Sequence, residues 1–189
     1  MPGDEIAPTD RPVRDGGIEA LMVAYQQSDP EAATALVTQL SPPIFQFFLA
    51  QCRDRSEAED LLQDFWLRIH KARATFRPGE PLLPWLYAIA RRVRVDRYRK
   101  TKSAREHEIF SEQLPEKASL PETAQRTTPK ISEMLQSLPE SQREVILMLK
   151  VSGLSLEEVA RATGVSIGSV KQKAHRAYES LRKRLGGGE

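Results

Sequence analysis

Residues 155–185 read SLEEVARATGVSIGSVKQKAHRAYESLRKRL, and the spacing inside this stretch decides the kind of fold the chain adopts. Ser155 followed three residues later by Glu158 is a capping box, which satisfies orphan amide donors at a helix start. Leu156, Val159 and Ala160 then form the apolar face of a short helix. Thr163-Gly164 ends it, because glycine takes the left-handed conformation that a tight turn needs. Ser166 is placed to cap a second helix. In that helix Val170, Ala174, Ala177, Leu181 and Leu185 recur at intervals of four, three, four and four, a buried stripe at helical period. The opposite face carries Gly168, Ser169, Lys171, Gln172, His175 and Arg176. Two helices across a glycine turn make a helix-turn-helix, whose second helix enters the major groove of DNA. An ordinary helical hairpin is the competing reading. Charge favours DNA, since Glu179 is the sole acid between Val159 and Leu185.

With the core stripe fixing the rotation of the second helix, Ser169 and Gln172 lie nearest the base edges. Gln172 can bond adenine in bidentate fashion and Arg176 guanine. Lys171 and Lys173 flank that face and suit phosphates, with His175 on the same exposed side.

The chain has 189 residues and a net charge of only +2, so charge distribution, not composition, marks a nucleic-acid partner. Its single cysteine, Cys52, sits in an apolar stretch, which excludes an intrachain disulfide and suits a reducing cytoplasm. Cys52 reads as a small buried hydrophobe. His70, His107 and His175 are scattered without ligand spacing, so no metal or other cofactor is expected, and no catalytic group stands out. No apolar run approaches the ~18 residues of a membrane span, and the start of the chain lacks the pattern of a signal peptide.

Read in order, residues 1–17 are rich in proline and glycine and are expected to form a disordered arm. A first helical domain is expected over 18–100. Asp29-Pro30 starts one helix, with aspartate as cap and proline at the first position, and Ser41-Pro42-Pro43 is expected to break or kink it. Ser56 with Glu59 predicts a second capping box. In the helix that follows, Leu61, Leu62, Phe65, Trp66 and Ile69 form a core face, and Glu57, Asp60, Gln63 and Asp64 form an acidic stripe beside it. Arg77-Pro78-Gly79-Glu80-Pro81 is a loop. The next helix, from about Leu83 to Lys100, is intensely basic in its second half: Arg91, Arg92, Arg94, Arg97, Arg99 and Lys100 face one acid, Asp96. A one-sign stripe beside Trp85, Tyr87 and Tyr98 suits phosphates and stacked bases. Residues 101–128 read as a flexible linker, and a second helical domain with the helix-turn-helix occupies 129–189. No strand alternation is present, so the fold class is all-α, two small domains on a tether.

Five pieces carry a family resemblance: AEDLLQDFW (58–66), WLYAIARRVRVDRYR (85–99), LPESQREVILM (138–148), GLSLEEVA (153–160) and SVKQKAHRA (169–177). In their order and spacing the chain resembles a bacterial RNA polymerase sigma factor of the extracytoplasmic-function class, over roughly 18–185. The resemblance implies that Asp60, Gln63 and Asp64 dock on the clamp of core RNA polymerase, with the flap as a further polymerase contact. It implies that the loop at 76–83, with Arg77, Trp85, Arg91, Arg92, Arg94 and Arg97, opens the −10 promoter element and holds its non-template strand. The helix from Ser166, with Ser169, Lys171, Gln172, Lys173, His175 and Arg176, then reads the −35 element. An anti-sigma factor is an implied partner, and such proteins catalyse nothing themselves. The chain departs from the family pattern at Arg92, where asparagine is usual, and at Leu82, where an aromatic is common, which leaves the captured base open. A stand-alone helix-turn-helix regulator and a sigma-like protein-interaction module are the alternatives.

Overall fold

Local chemistry starts and stops the helices, and the long basic helix then gathers them. The structure, a computed structural model, describes residues 17–52, 54–108 and 134–186. The expected N-terminal arm, up to its last residue, and most of the expected linker lie outside the described residues. Helix α1 (Gly17–Gln26) leads to Ser28, whose φ of +68° turns the chain into α2 (Pro30–Leu49). Asp29 caps α2 as expected, its Oδ1 accepting from the amides of Glu31 at 2.9 Å and Ala32 at 3.2 Å.

The structure bears on two expectations about helix boundaries. Ser41-Pro42-Pro43 does not break α2, which continues to Leu49. The carbonyls that these prolines leave without an intrahelical donor belong to Thr38 and Gln39, both exposed, so water can satisfy them. The Ser41 hydroxyl also accepts from Trp66 Nε1 at 2.9 Å, which ties the proline turn to the next helix. Helix α3 (Arg55–Ala72) begins one step earlier than Ser56, because Asp54 accepts from the Glu57 amide at 2.8 Å. Glu59, expected to complete a capping box, is held instead by Arg55 at 2.7 Å. A 3-10 turn (Arg73–Thr75) closes α3, and α4 follows at Leu82–Glu108, running eight residues beyond Lys100.

Helices α1 to α4 enclose Met22, Leu36, Ile44, Phe47, Phe48, Leu61, Phe65, Ile69, Leu82 and Leu86. Edge-on aromatic pairs knit this core, Phe47 against Tyr87 at 5.2 Å and Phe48 against Phe65 at 6.2 Å between ring centres. Tyr87 is therefore a core residue, and its place among the expected base-stacking aromatics is withdrawn: it is 1% exposed, and burial pushes its hydroxyl up to about 12. Tyr98, by contrast, is 67% exposed.

In the second unit, Arg143 donates to the carbonyls of Leu135, Gln136 and Leu138, fastening the approach to helix α5 (Glu140–Ile146). A π turn (Leu147–Val151) extends α5, and Gly153 at φ +67° reverses the chain. Helix α6 (Leu156–Thr163) carries the complete capping box: the Ser155 amide donates to Glu158 Oε2 at 2.7 Å and the Glu158 amide to Ser155 Oγ at 3.2 Å. Gly164 ends α6 at φ +70°, its amide donating to Ala160 O at 2.9 Å. Helix α7 (Ile167–Gly186) follows. The buried side of α6 is Val159 and Ala162, with Ala160 only partly buried. The buried set of this unit is continuous with that of the first, because α6 packs on α4 and the π turn packs on α2.

Replacing Ser155 by alanine removes one half of the capping box. It should lower stability by about 1 kcal/mol in chemical denaturation, without changing helix content in circular dichroism.

Candidate nucleic-acid and polymerase interfaces

Helix α7 presents its residues as the sequence implies. Val170, Ala174 and Ala177 are buried, and the Ser166 hydroxyl accepts from the Ser169 amide at 3.2 Å, so the helix start and rotation are both fixed. Lys171, Gln172, His175 and Arg176 are exposed together, and Ser169 and Lys173 are half-buried at the edges of that face. His175 lies 3.5 Å from Glu179 one turn on. The buried stripe ends sooner than expected: Leu181 is only partly buried and Leu185 is 63% exposed, because α7 outruns the helices beneath it.

On α3, Asp60, Gln63 and Asp64 project outward side by side. Asp60 is not free, since Arg97 Nη2 donates to its Oδ2 at 2.9 Å. One turn beyond Asp64 stands Leu67, 59% exposed. Sequence reading passed over it, although its position at i+3 from Asp64 and i+7 from Asp60 places it on the same stripe.

The basic half of α4 differs most from expectation. Arg91 Nε donates to both carboxylate oxygens of Glu144 at 3.0 Å, and Arg91 Nη1 donates to the Thr163 carbonyl at 3.2 Å. Glu144 is nearly enclosed, its side chain 4% exposed. Arg94 donates to Glu140, and its Nε is buried with no partner among the described residues. Asp96 is taken by Arg68 at 2.6 Å. The stripe that reads as one sign along its own helix is thus compensated by carboxylates from α5 and α3, which a helix-by-helix charge count does not reveal. Arg92 and Arg99 remain exposed.

The loop between the 3-10 turn and α4 is a tight turn. The Glu80 amide donates to Arg77 O at 3.2 Å, with Pro78 second and Gly79 third at φ +90°, the pattern of a type II turn. Arg77 is exposed, and Trp85 packs edge-on to the buried Phe76 at 5.6 Å. Arg161 of α6 approaches Glu80 at 3.7 Å, an exposed pair of small energetic weight. Cys52 is buried, and desolvation, helped by Glu57, pushes its thiol up to about 12. Among the described residues no cluster could hold a metal ion, and no helix is long and apolar enough to cross a membrane.

An outward acidic stripe, a tight turn followed by a basic helix, and a helix-turn-helix, in this order, coincide with two family matches. The sigma-70 region 2 family covers residues 36–104, and the sigma-70 region 4 family covers 129–181. The chain belongs to the RNA polymerase sigma factors of the extracytoplasmic-function class. This sigma factor is 28% identical over 166 residues to the RNA polymerase sigma factor CarQ of Myxococcus xanthus, spanning 87% of this chain and 95% of that one. It is also 28% identical over 150 residues to the sigma factor SigX of Bacillus subtilis, spanning 75% and 77%. Its fold is shared with CnrH, solved in complex with the cytosolic domain of CnrY, at a TM-score of 0.70 and 21% identity over 92% of this chain and 99% of that chain. The sigma factor RpoE of Bartonella quintana, solved with the anti-sigma factor NepR, gives a TM-score of 0.66 at 23% identity over 88% and 99%. A sigma factor directs transcription initiation at promoters, which is the function of this chain.

Replacing Arg91 by alanine strands the Glu144 carboxylate without its cation and should cost the docked arrangement about 1–3 kcal/mol. Small-angle scattering should show a larger radius of gyration for the variant; an unchanged radius means that apolar contact alone holds α6 on α4. The Cys52 thiol, protonated until pH nears about 12, should resist alkylation in the native sigma factor at neutral pH and react fully once the chain is denatured.

Proposed function

We propose that this sigma factor engages core polymerase through α3, melts and holds the −10 element with the loop at 76–83 and α4, and reads the −35 element with α7. The reading rests on one observation above all: α7 keeps a polar, basic face exposed while Val170, Ala174 and Ala177 lock its rotation. Asp60, Gln63 and Asp64 supply the polar contacts to the clamp, and Leu67, one turn beyond Asp64, supplies apolar area beside them. Arg77, Trp85, Arg92 and Arg97 meet the −10 strand. Arg91 and Arg94 join them once they leave Glu144 and Glu140, so the packed arrangement of α4 with α5 and α6 parts when promoter DNA is engaged. Ser166 acts by capping, Ser169, Gln172 and Arg176 by reading bases, and Lys171, Lys173 and His175 by holding the backbone. The functional division into 18–100 and 129–189, joined through 101–128, follows from these roles. The chain works with polymerase in the cytoplasm, has no catalytic activity of its own, and is held in check by an anti-sigma factor, as the Bartonella quintana relative is bound to one.

Reconstitution with core polymerase and selection of promoters from a randomised library tests the reading as a whole. Transcription from a shared −35 and −10 pattern is the expected outcome, and a chain that binds DNA without supporting initiation is instead a stand-alone regulator. The pair Asp60→Ala and Asp64→Ala should abolish holoenzyme formation with the helix content intact; normal affinity for core polymerase removes these residues from the interface. Gln172→Ala should relax preference at one upstream position by on the order of 1–3 kcal/mol, whereas Lys173→Ala should weaken all sequences alike. A panel of single-base variants of the −35 element separates the two, and a reversal of the effects means that α7 enters the groove in another rotation.

A further inference from the structure

Helix α1 takes no part in any role assigned so far, yet two of its side chains reach the loop that precedes α4. Gln26, the last residue of α1, donates from Nε2 to Arg73 O at 2.7 Å and to Phe76 O at 2.8 Å. These two carbonyls bracket the 3-10 exit of α3, so Gln26 pins the point where the loop leaves. Glu19, seven residues earlier, accepts from the Leu82 amide at 3.1 Å, at the point where the loop enters α4.

The local sequence explains why α4 must borrow this cap. Leu82 opens α4, Pro81 precedes it and offers no side-chain oxygen, and Pro84 has no amide to donate. A carboxylate at a helix N-terminus also faces the positive end of the helix dipole. The cap therefore comes from a residue 63 positions away. Seven helical residues span about 10 Å along α1, so one rigid helix sets the separation of the two ends of the loop. Between those ends Arg77, Pro78, Gly79 and Glu80 are all exposed, and a single backbone hydrogen bond closes the turn.

We propose that Glu19 and Gln26 are positioning residues for the loop at 77–81: α1 acts as a template that holds the loop ready to capture the unpaired −10 strand. This rests on the reading of that loop as part of the −10 surface. Fixing both ends before binding removes conformational freedom that capture otherwise has to remove.

The test uses the full chain with core polymerase. Its probe is a single-stranded oligonucleotide spanning the −10 element of the promoter that the wild-type holoenzyme selects from a randomised library. Glu19→Ala and Gln26→Leu should each weaken capture roughly three- to tenfold and flatten base preference at the captured position. Glu19→Gln, which keeps an acceptor oxygen, should restore most of the affinity. Binding to core polymerase and to a −35 duplex should stay unchanged in all three. Equal losses in those two controls point to general unfolding and overturn the proposal. A loop variant, Arg77→Ala with Glu80→Ala, separates the two levels of the reading. If it weakens capture while the α1 variants do not, the template role is wrong and the loop assignment stands. If the loop variant is also without effect, both fall together.

Discussion

The Arg91 guanidinium ties the two helical units of this sigma factor together, beside the apolar contact of α6 on α4. Ala90 and Val93 face the core beneath α4, which turns Arg91 outward to a different neighbour. It meets Glu144 of α5 and the carbonyl of Thr163, the last residue of α6. That carbonyl lies at the negative end of the α6 dipole, so carboxylate and helix end together offer a site shaped for a planar cation. Phosphate recognises the same fork of donors. Arg91 cannot hold Glu144 and a phosphate at once, so docking of α5 and α6 on α4 occupies these donors.

The basic faces of α4 and α7 are consequently in different states. On α7 the polar face is open, and nothing from the first unit covers Gln172 or Arg176. On α4 the two inward arginines are engaged, while Arg92, Arg99 and Tyr98 stay at the surface. The polar face of α7 is thus available while the inward donors of α4 are occupied. Under the roles proposed above, this asymmetry favours engagement of α7 first, followed by exchange of carboxylate for phosphate at Arg91 and Arg94.

Features that depend on neighbours in sequence were legible in advance. The capping box at Ser155, the left-handed Gly164 and the buried stripe through Ala177 each rest on residues within a turn or two of one another. Features that depend on distant neighbours were not. Asp54 displaced Ser56 as the cap of α3 because both are good caps two positions apart and packing chooses between them. Tyr87 reads like its neighbours Trp85 and Tyr98, and only the fold reveals that Phe47 stands behind it. Leu185 keeps the period of the stripe but is 63% exposed, with no helix of the described residues covering it. The partners of Arg91 and Arg94 and the borrowed cap from Glu19 are hidden for the same reason, since each joins residues more than forty positions apart.

Helix α4 continues for fourteen residues after Arg94, about 21 Å of helix, before it ends at Glu108. The chain must then return to α5, where Glu140 meets Arg94. Of the residues between Glu108 and Glu140, 134–138 are already fastened to α5, and the 25 numbered 109–133 can reach at most roughly 90 Å, several times the return distance. Because one chain carries all three helices, the contact of α5 and α6 with α4 is intramolecular, and such contacts meet at effective concentrations of up to about the millimolar range. An interaction worth only about 4 kcal/mol then suffices to keep the docked state populated. The same arithmetic sets what any competitor for Arg91 and Arg94 must overcome: not the whole strength of the contacts, only the few kcal/mol by which they outweigh separation.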